Sequence, residues 1–342
     1  MNATDWTAPA FWLPLAFMGF MGIAMLLYVV LDGYDLGVGI LLRRASPDDK
    51  DKMIASIGPF WDANETWLVL GVGILLVAFP LAHGVILGAL YLPVALMLAG
   101  LILRGVAFDF RVKAQAQHKP RWDATFYAGS LLATFAQGVM LGALVTGFAL
   151  GWGQILFALF IGMCMIAGYA LLGSTWLIYK TEGELQLRAV RWARASLWLT
   201  GVGVAAVSIA TSMVSHSIFE KWFVLPNFIY LAPIPLASAA LFLAIEVLLR
   251  RAPARLAAGD GKHDAWPFIA AAGIFVLAFL GLAYSLFPYL VVDRITIWQA
   301  ASAPESLLVI FWGVCVVLPA ILGYTIYAYR VFGGKASELS YE

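Results

Sequence analysis

Nine stretches of about 20 apolar residues, each long enough to cross the hydrocarbon core of a bilayer, dominate this chain. They lie at 11–42, 56–80, 85–110, 124–149, 154–180, 195–216, 228–250, 266–288 and 306–331. In lipid every backbone N–H and C=O must find its partner inside the spanning segment, so runs of this length become helices. The expected fold is therefore all-α, a polytopic membrane protein with nine transmembrane helices. Composition agrees: 63% of the 342 residues are hydrophobic and 12% are charged, against roughly 25% charged in a soluble domain.

The loops test the count. Arg43, Arg44, Lys50 and Lys52 follow the first run, and Arg111, Lys113, Lys119 and Arg121 follow the third. Lys180, Arg188, Arg191 and Arg194 follow the fifth, Arg250, Arg251, Arg255 and Lys262 the seventh, and Arg330 and Lys335 the ninth. Of the 21 basic residues only Lys221 and Arg294 fall in the alternate loops, and only Arg104 lies inside a run away from its end. By the positive-inside rule the amino terminus is outside and the carboxyl terminus cytoplasmic. Trp12, Trp152, Trp222 and Trp298 fall at the outer ends, where amphipathic rings belong. The loops are short, which reads as a single integral-membrane domain over 1–342, and the first run reads as a retained span rather than a signal peptide.

Several function classes drop out. A net charge of +1 gives no argument for nucleic acid. Cys164 and Cys315 both sit in apolar runs and make neither a disulfide framework nor a thiolate metal site. Gly71 and Gly73, like Gly201 and Gly203, lie inside spans and read as helix packing rather than a nucleotide loop.

The polar residues inside the spans carry the functional argument, because charge there is costly and defaults to a functional role. The segment Leu31 to Leu41, LDGYDLGVGIL, places Asp32 and Asp35 three apart on one helix face. Gly33, Gly37 and Gly39 open a groove beside them that lets a second helix come close. The second run opens GPFWDANETWL, with Asp62 and Glu65 again three apart and Trp61, Asn64 and Trp67 around them. At ~1.5 Å per residue, Asp62 stands about 15 Å above Lys52, Asp35 about 12 Å and Asp32 about 17 Å above Arg43, and Arg104 about 10 Å above Arg111. Three neighbouring spans thus gather Asp32, Asp35, Asp62, Glu65 and Arg104 in the cytoplasmic half, with the glycine face expected to bring the first span against the second and third. Arg104 can neutralise one carboxylate, and the others are protonated or solvated by internal water. Two readings remain open: a proton-conducting or ion-binding file from the cytoplasm, and a structural ion pair with packing glue.

Elsewhere the residues read as structural. Glu246 lies one turn from Arg250 as a surface pair, Glu182, Glu184 and Arg188 form a solvated face where the fifth span leaves the membrane, and Asp109 is interfacial. His83 and His216 fall at outer span ends and His118 and His263 in inner loops, so a haem held by two histidines between these spans is not expected. Redox chemistry would place its metal on a partner.

DGYDLGVGIL (Asp32 to Leu41) and PFWDANETWL (Pro59 to Leu68) resemble the signature segments of subunit II of the cytochrome bd quinol oxidases. The likeness extends through Arg104 to Asp109, Thr181 to Arg188, Phe287-Pro288, Trp298 and the stretch Tyr327 to Phe332, essentially the whole chain. Length and short outer loops are closer to the compact, cyanide-insensitive type. The resemblance implies two four-helix bundles, 11–149 and 154–288, with a peripheral ninth helix at 306–331. It implies a heterodimer in a bacterial inner membrane, whose partner, subunit I, holds two b-type haems and one d-type haem, oxidises quinol near the outer face and reduces O2 to water with cytoplasmic protons. Subunit II binds no haem, some members hold a structural quinone, and a small single-span accessory subunit and membrane lipids are further partners. The resemblance puts Asp62 and Trp67 on a proton route, with Asp35 and Arg104 in the same polar region. Glu65 stands where relatives carry Gln and adds a titratable site, whereas Gln299 stands where relatives carry an Asp and removes an outer carboxylate. Asp62 is the expected relay, with Asp35, Glu65 and Asp32 beside it and Arg104 tuning them. The rival readings are a secondary transporter with an intramembrane cation site, for which Pro93 is the best helix break but no inverted repeat is evident, and a structural assembly partner with no proton role.

Overall fold

Each apolar run contains one long helix. The computed structural model describes residues 6–214 and 216–336, without the side chains of residues 214, 216 and 217, so that of His216 lies outside the described residues. Among the described residues nine helices are long and apolar enough to cross a membrane. They are Pro9–Leu41, Trp61–Ala78, Tyr91–Lys113, Lys119–Val145, Trp152–Lys180, Gly183–Val214, Pro233–Ala257, Trp266–Leu286 and Pro304–Val331, the first to ninth spans. Proline stands in the first turn of many helices, where its missing N–H costs nothing.

The boundaries differ from the apolar runs where proline and glycine interrupt them. The run 56–80 is not one helix. A separate helix, Pro47–Ile57, is capped by Ser46, whose side chain accepts from Asp49 N; the chain then turns at Gly58–Phe60, and the second span starts at Trp61. Asp62 is therefore in the first turn of its span, and the 15 Å height obtained by counting a continuous helix from Lys52 does not hold. The run 85–110 breaks at Leu90, because the ring of Pro93 conflicts with the carbonyl four residues earlier and allows a helix to begin only just before it. TEGELQLR opens the sixth span after Gly183 at φ +66°, rather than trailing from the fifth. The outer loop after the eighth span holds an antiparallel hairpin, Tyr289–Val291 with Ile295–Thr296, then a short helix whose capping box pairs Thr296 with Gln299. A small strand pair thus interrupts the otherwise helical fold.

The first span is the hub. It packs along the fifth and second spans and touches the fourth, while the third packs on the fourth, the fifth on the sixth, and the seventh on the eighth. A Cβ on Gly37 would lie 1.8 Å from the Tyr169 carbonyl oxygen, and one on Gly173 would lie 2.4 Å from Gly37 C. A Cβ on Gly39 would lie 2.2 Å from Ser130 Oγ. The glycine face of the first span is thus buried on the fifth and fourth spans, not on the second and third as the spacing suggested. The first span meets the second with a different face, where Gly71 receives Met25.

Ion pairs lace the basic end of the bundle. Arg111 reaches Asp123 at 2.5 Å and Asp51 at 2.8 Å, Lys119 reaches Asp51 at 3.2 Å, and Arg188 reaches Asp49 at 2.9 Å. Partial burial pushes the Asp51 carboxyl up, but hydrogen bonds from Arg111 and Lys119 outweigh it and hold the group below the usual carboxylate range. A depressed folded value contributes stability above the unfolded value of about 3.9, and that contribution is lost as pH falls through the folded value. Because Asp51 is half exposed, Asp51→Asn is expected to cost less than about 1 kcal/mol. Thermal denaturation of the solubilised protein should show a deficit near neutral pH that closes below about pH 4; a deficit constant with pH would refute the assignment.

Candidate functional site: an intramembrane acid cluster

Gly100 and Gly129 bring the third and fourth spans into backbone contact; a Cβ on Gly129 would lie 2.7 Å from Arg104 N. Beside this crossing Arg104 is 1% exposed, yet it carries a full charge. Its guanidinium forks between two acids from two other spans. Nη1 lies 2.7 Å from Asp32 Oδ1 of the first span, and Nη2 pairs with Glu65 of the second. Trp61 flanks the guanidinium, with the ring centroid 5.8 Å away. The sequence reading allowed Arg104 one carboxylate; the fork takes two, so the first three spans meet in one ion cluster.

The acids differ in exposure. Asp62 is exposed, Glu65 keeps 26% of its side chain accessible, and Asp32 and Asp35 are fully buried. Among the described residues Asp35 meets no cation within ion-pair distance; its Oδ2 accepts from Asn64 Nδ2 at 2.7 Å. Asp35 Oδ1, Arg104 Nε and Trp67 Nε1 are buried without hydrogen-bond partners among the described residues. Trp67 itself is buried with Tyr28 of the first span and Leu318 of the ninth.

Two further polar sets adjoin the cluster. Tyr28, one helical turn before Asp32, accepts from Gln137 Nε2 at 2.8 Å, and Tyr169 donates to Gln137 Oε1 at 2.6 Å, which joins the first, fourth and fifth spans. On the other side, Tyr34, Asn64 and Tyr329 of the ninth span hydrogen-bond to one another beside Asp35. Sequence reasoning missed both sets. Tyr28 and Gln137 carried a usable signal as mid-span polar residues, Tyr28 at i−4 from Asp32; Tyr329, 295 residues from Tyr34, carried none.

Other readings resolve locally. Glu246 pairs with Arg250 at 2.6 Å but is itself buried and also meets Arg194 at 3.4 Å, so it is an inter-span tie rather than a surface pair. Glu182, Glu184 and Asp109 are exposed. His83 is half-buried and His118 and His263 are exposed. Among the described residues no cluster of three or more His, Cys, Asp or Glu could hold a metal ion.

Fold and site together define a multi-pass membrane protein with a charged, three-span cluster at its centre. The family profile described as cytochrome bd terminal oxidase subunit II matches residues 13–332, and the chain belongs to that family, as a subunit of an oxidoreductase complex. Among curated relatives, the cytochrome bd-I ubiquinol oxidase subunit 2 of Escherichia coli (strain K12) is 28% identical, covering 93% of this chain and 94% of its own. The cytochrome bd ubiquinol oxidase subunit 2 of Bacillus subtilis (strain 168) is 29% identical over 91% of this chain and 93% of its own. The bd oxidase structure from Geobacillus thermodenitrificans superposes with a TM-score of 0.77 at 16% identity, covering 94% of this chain and 98% of that one, a likeness of fold.

Proposed function

We propose that this chain is the haem-free subunit II of a terminal quinol oxidase in a bacterial inner membrane, and that its acid cluster carries part of the proton route from the cytoplasm. The reading places the amino terminus outside and the carboxyl terminus in the cytoplasm, and groups the spans as two four-helix bundles with a peripheral ninth helix. The partner subunit I holds the two b-type haems and the d-type haem, oxidises the quinol and reduces O2. A small single-span subunit and a structural quinone complete the assembly. Two relatives carry ubiquinol oxidase in their names, which makes ubiquinol the donor to test first.

The supporting observation is the graded burial of one acid file: Asp62 exposed in the first turn of its span, Glu65 one turn deeper and partly exposed, Asp32 fully buried, with Arg104 joining the last two. Protons pass between groups that are a hydrogen bond or one water apart. Asp62 takes up the proton, Glu65 receives it, and Asp32 holds it in the interior, while Arg104 keeps the two inner acids in register and limits the charge they carry. Asp35 lies beside this line on its own hydrogen bond from Asn64. The partnerless Oδ1 of Asp35 would cost about 1–3 kcal/mol if left dry, an arrangement that favours internal water beside the acids. Quinol oxidation releases one proton per electron, and oxygen reduction takes up one proton per electron. Release outside and uptake from the cytoplasm then build a proton gradient without a pump.

In the assembled complex Asp62→Asn is expected to slow proton uptake and oxygen consumption by about 10²-fold, the order that a positioned acid or base supplies, with haem content retained. Full respiration with normal uptake would overturn the proton role. Absorption spectroscopy checks the partner: the purified complex should show b- and d-type haem, and this chain expressed alone should be colourless.

A further inference from the structure

The ninth span is mostly exposed, yet its carboxyl-terminal end is tied down by a dense set of polar bonds. Lys180 Nζ donates to the carbonyls of Phe332 at 2.6 Å and Gly334 at 2.9 Å while facing the rings of Phe60, Trp176 and Tyr179. Lys335 Nζ donates to Asp264 at 2.8 Å and to the Thr181 carbonyl at 2.9 Å, and Ala336 N bonds the Lys180 carbonyl. Tyr329, just before this strap, stacks on Phe60 with ring centroids 4.5 Å apart. Apolar packing alone would hold a span; this strap also fixes the rotation and depth of Tyr329.

Tyr329 closes a ring of hydrogen bonds. Its hydroxyl donates to Asn64 Oδ1 at 3.2 Å, Asn64 Nδ2 donates to the Tyr34 hydroxyl at 3.0 Å, and the two tyrosine hydroxyls are 2.6 Å apart, with Tyr34 left to donate. The Leu31 carbonyl, which can only accept, lies 3.4 Å from Asn64 Nδ2 and assigns the NH2 end of the amide. That NH2 end also faces Asp35 Oδ2, at 2.7 Å, while Tyr329 engages Oδ1 from the other side. Turned over, the amide would present an acceptor to the Asp35 carboxyl instead of a donor. We infer that Tyr329 is a positioning residue: by holding the Oδ1 end of the Asn64 amide, it keeps the NH2 donor aimed at the Asp35 carboxyl and so holds that carboxyl in place. The consequence for respiration rests on the proton role of the cluster; the positioning itself does not.

The test uses the assembled complex with carboxyl-labelled aspartate and isotope-edited infrared spectroscopy, the Asp35 band being the one lost in Asp35→Asn. Tyr329→Phe should shift that band and lower oxygen consumption about two- to tenfold, the factor that one ordinary hydrogen bond supplies, with a displaced pH profile. Tyr327→Phe, a hydroxyl removed from an exposed residue of the same span, should leave all three readings unchanged. An Asp35 band and pH profile in Tyr329→Phe that superpose on the parent would overturn the inference. A shifted band in a complex that, like Asp35→Asn, still respires at the parent rate would keep the positioning and remove Asp35 from the proton route. Should Tyr329→Phe fail to assemble, 3-fluorotyrosine at position 329 keeps the hydroxyl but changes its donor strength, and must still shift the Asp35 band.

Discussion

Gly37→Ala is expected to abolish accumulation of the assembled complex, although it adds one methyl group. The added carbon would sit 1.8 Å from the Tyr169 carbonyl oxygen, 2.7 Å from Tyr169 C and 2.8 Å from Gly173 N. All three are backbone atoms, so no side chain can rotate away, and the first and fifth spans must separate. Overpacking a core that repacks by side-chain motion costs about 1–3 kcal/mol; moving a helix also gives up the close contact that holds spans together in lipid. The damage reaches the site directly, because Asp32 and Asp35 flank Gly33 and move with the first span. Haem absorbance of membranes and the thermal midpoint of the purified complex measure the loss. Gly19→Ala is the control: nothing lies within 4 Å of its added carbon, and the helix gains up to about 1 kcal/mol of intrinsic preference. Equal behaviour of the two variants would disprove the close contact.

Arg104→Met carries the second large effect. The arginine is 1% exposed and is the cation shared by Asp32 and Glu65. Its removal leaves buried carboxylates without compensation, at a cost of about 3–5 kcal/mol, enough to deplete the folded chain. Neutralising the acids as well, in Arg104→Met with Asp32→Asn and Glu65→Gln, should restore assembly in large part, since a buried ion cluster replaced by neutral groups is often tolerated. The restored complex should still respire poorly, because the relay acids are gone. Arg104→Lys should fall between, since an ammonium cannot reproduce the two-pronged geometry of the guanidinium. The readouts are complex yield, thermal midpoint and oxygen consumption; wild-type yield in Arg104→Met would show that the cluster is not charged in the way proposed.

Much of the site was legible before the fold. Asp32 and Asp35, Asp62 and Glu65, and Arg104 stand out because charge inside an apolar run is costly wherever it occurs, and helical spacing alone tells which pairs share a face. The depth of Asp62 was not legible, because Gly58–Phe60 separates two helices that the apolar run had joined into one. Nor was its exposure, which depends on which neighbours cover each face of the second span. Gly33, Gly37 and Gly39 announced a close helix contact but not its partner, since many spans offer small residues at similar spacing and Gly173 is one among 32 glycines. Asn64 read as a flanking polar residue until Tyr329 came beside it.

The sequence by itself determined the number of spans, the alternation of their loops and the presence of acids and an arginine within them. Each of these is set segment by segment, through backbone groups satisfied inside one helix and the cost of charge in lipid. Only the tertiary structure decided that Arg104 joins two acids, that the glycine face meets the fifth span, and that Tyr329 reaches Asn64. Those are choices among helix pairs, and in a membrane they turn on close packing and polar contacts between distant segments rather than on any local preference of the chain.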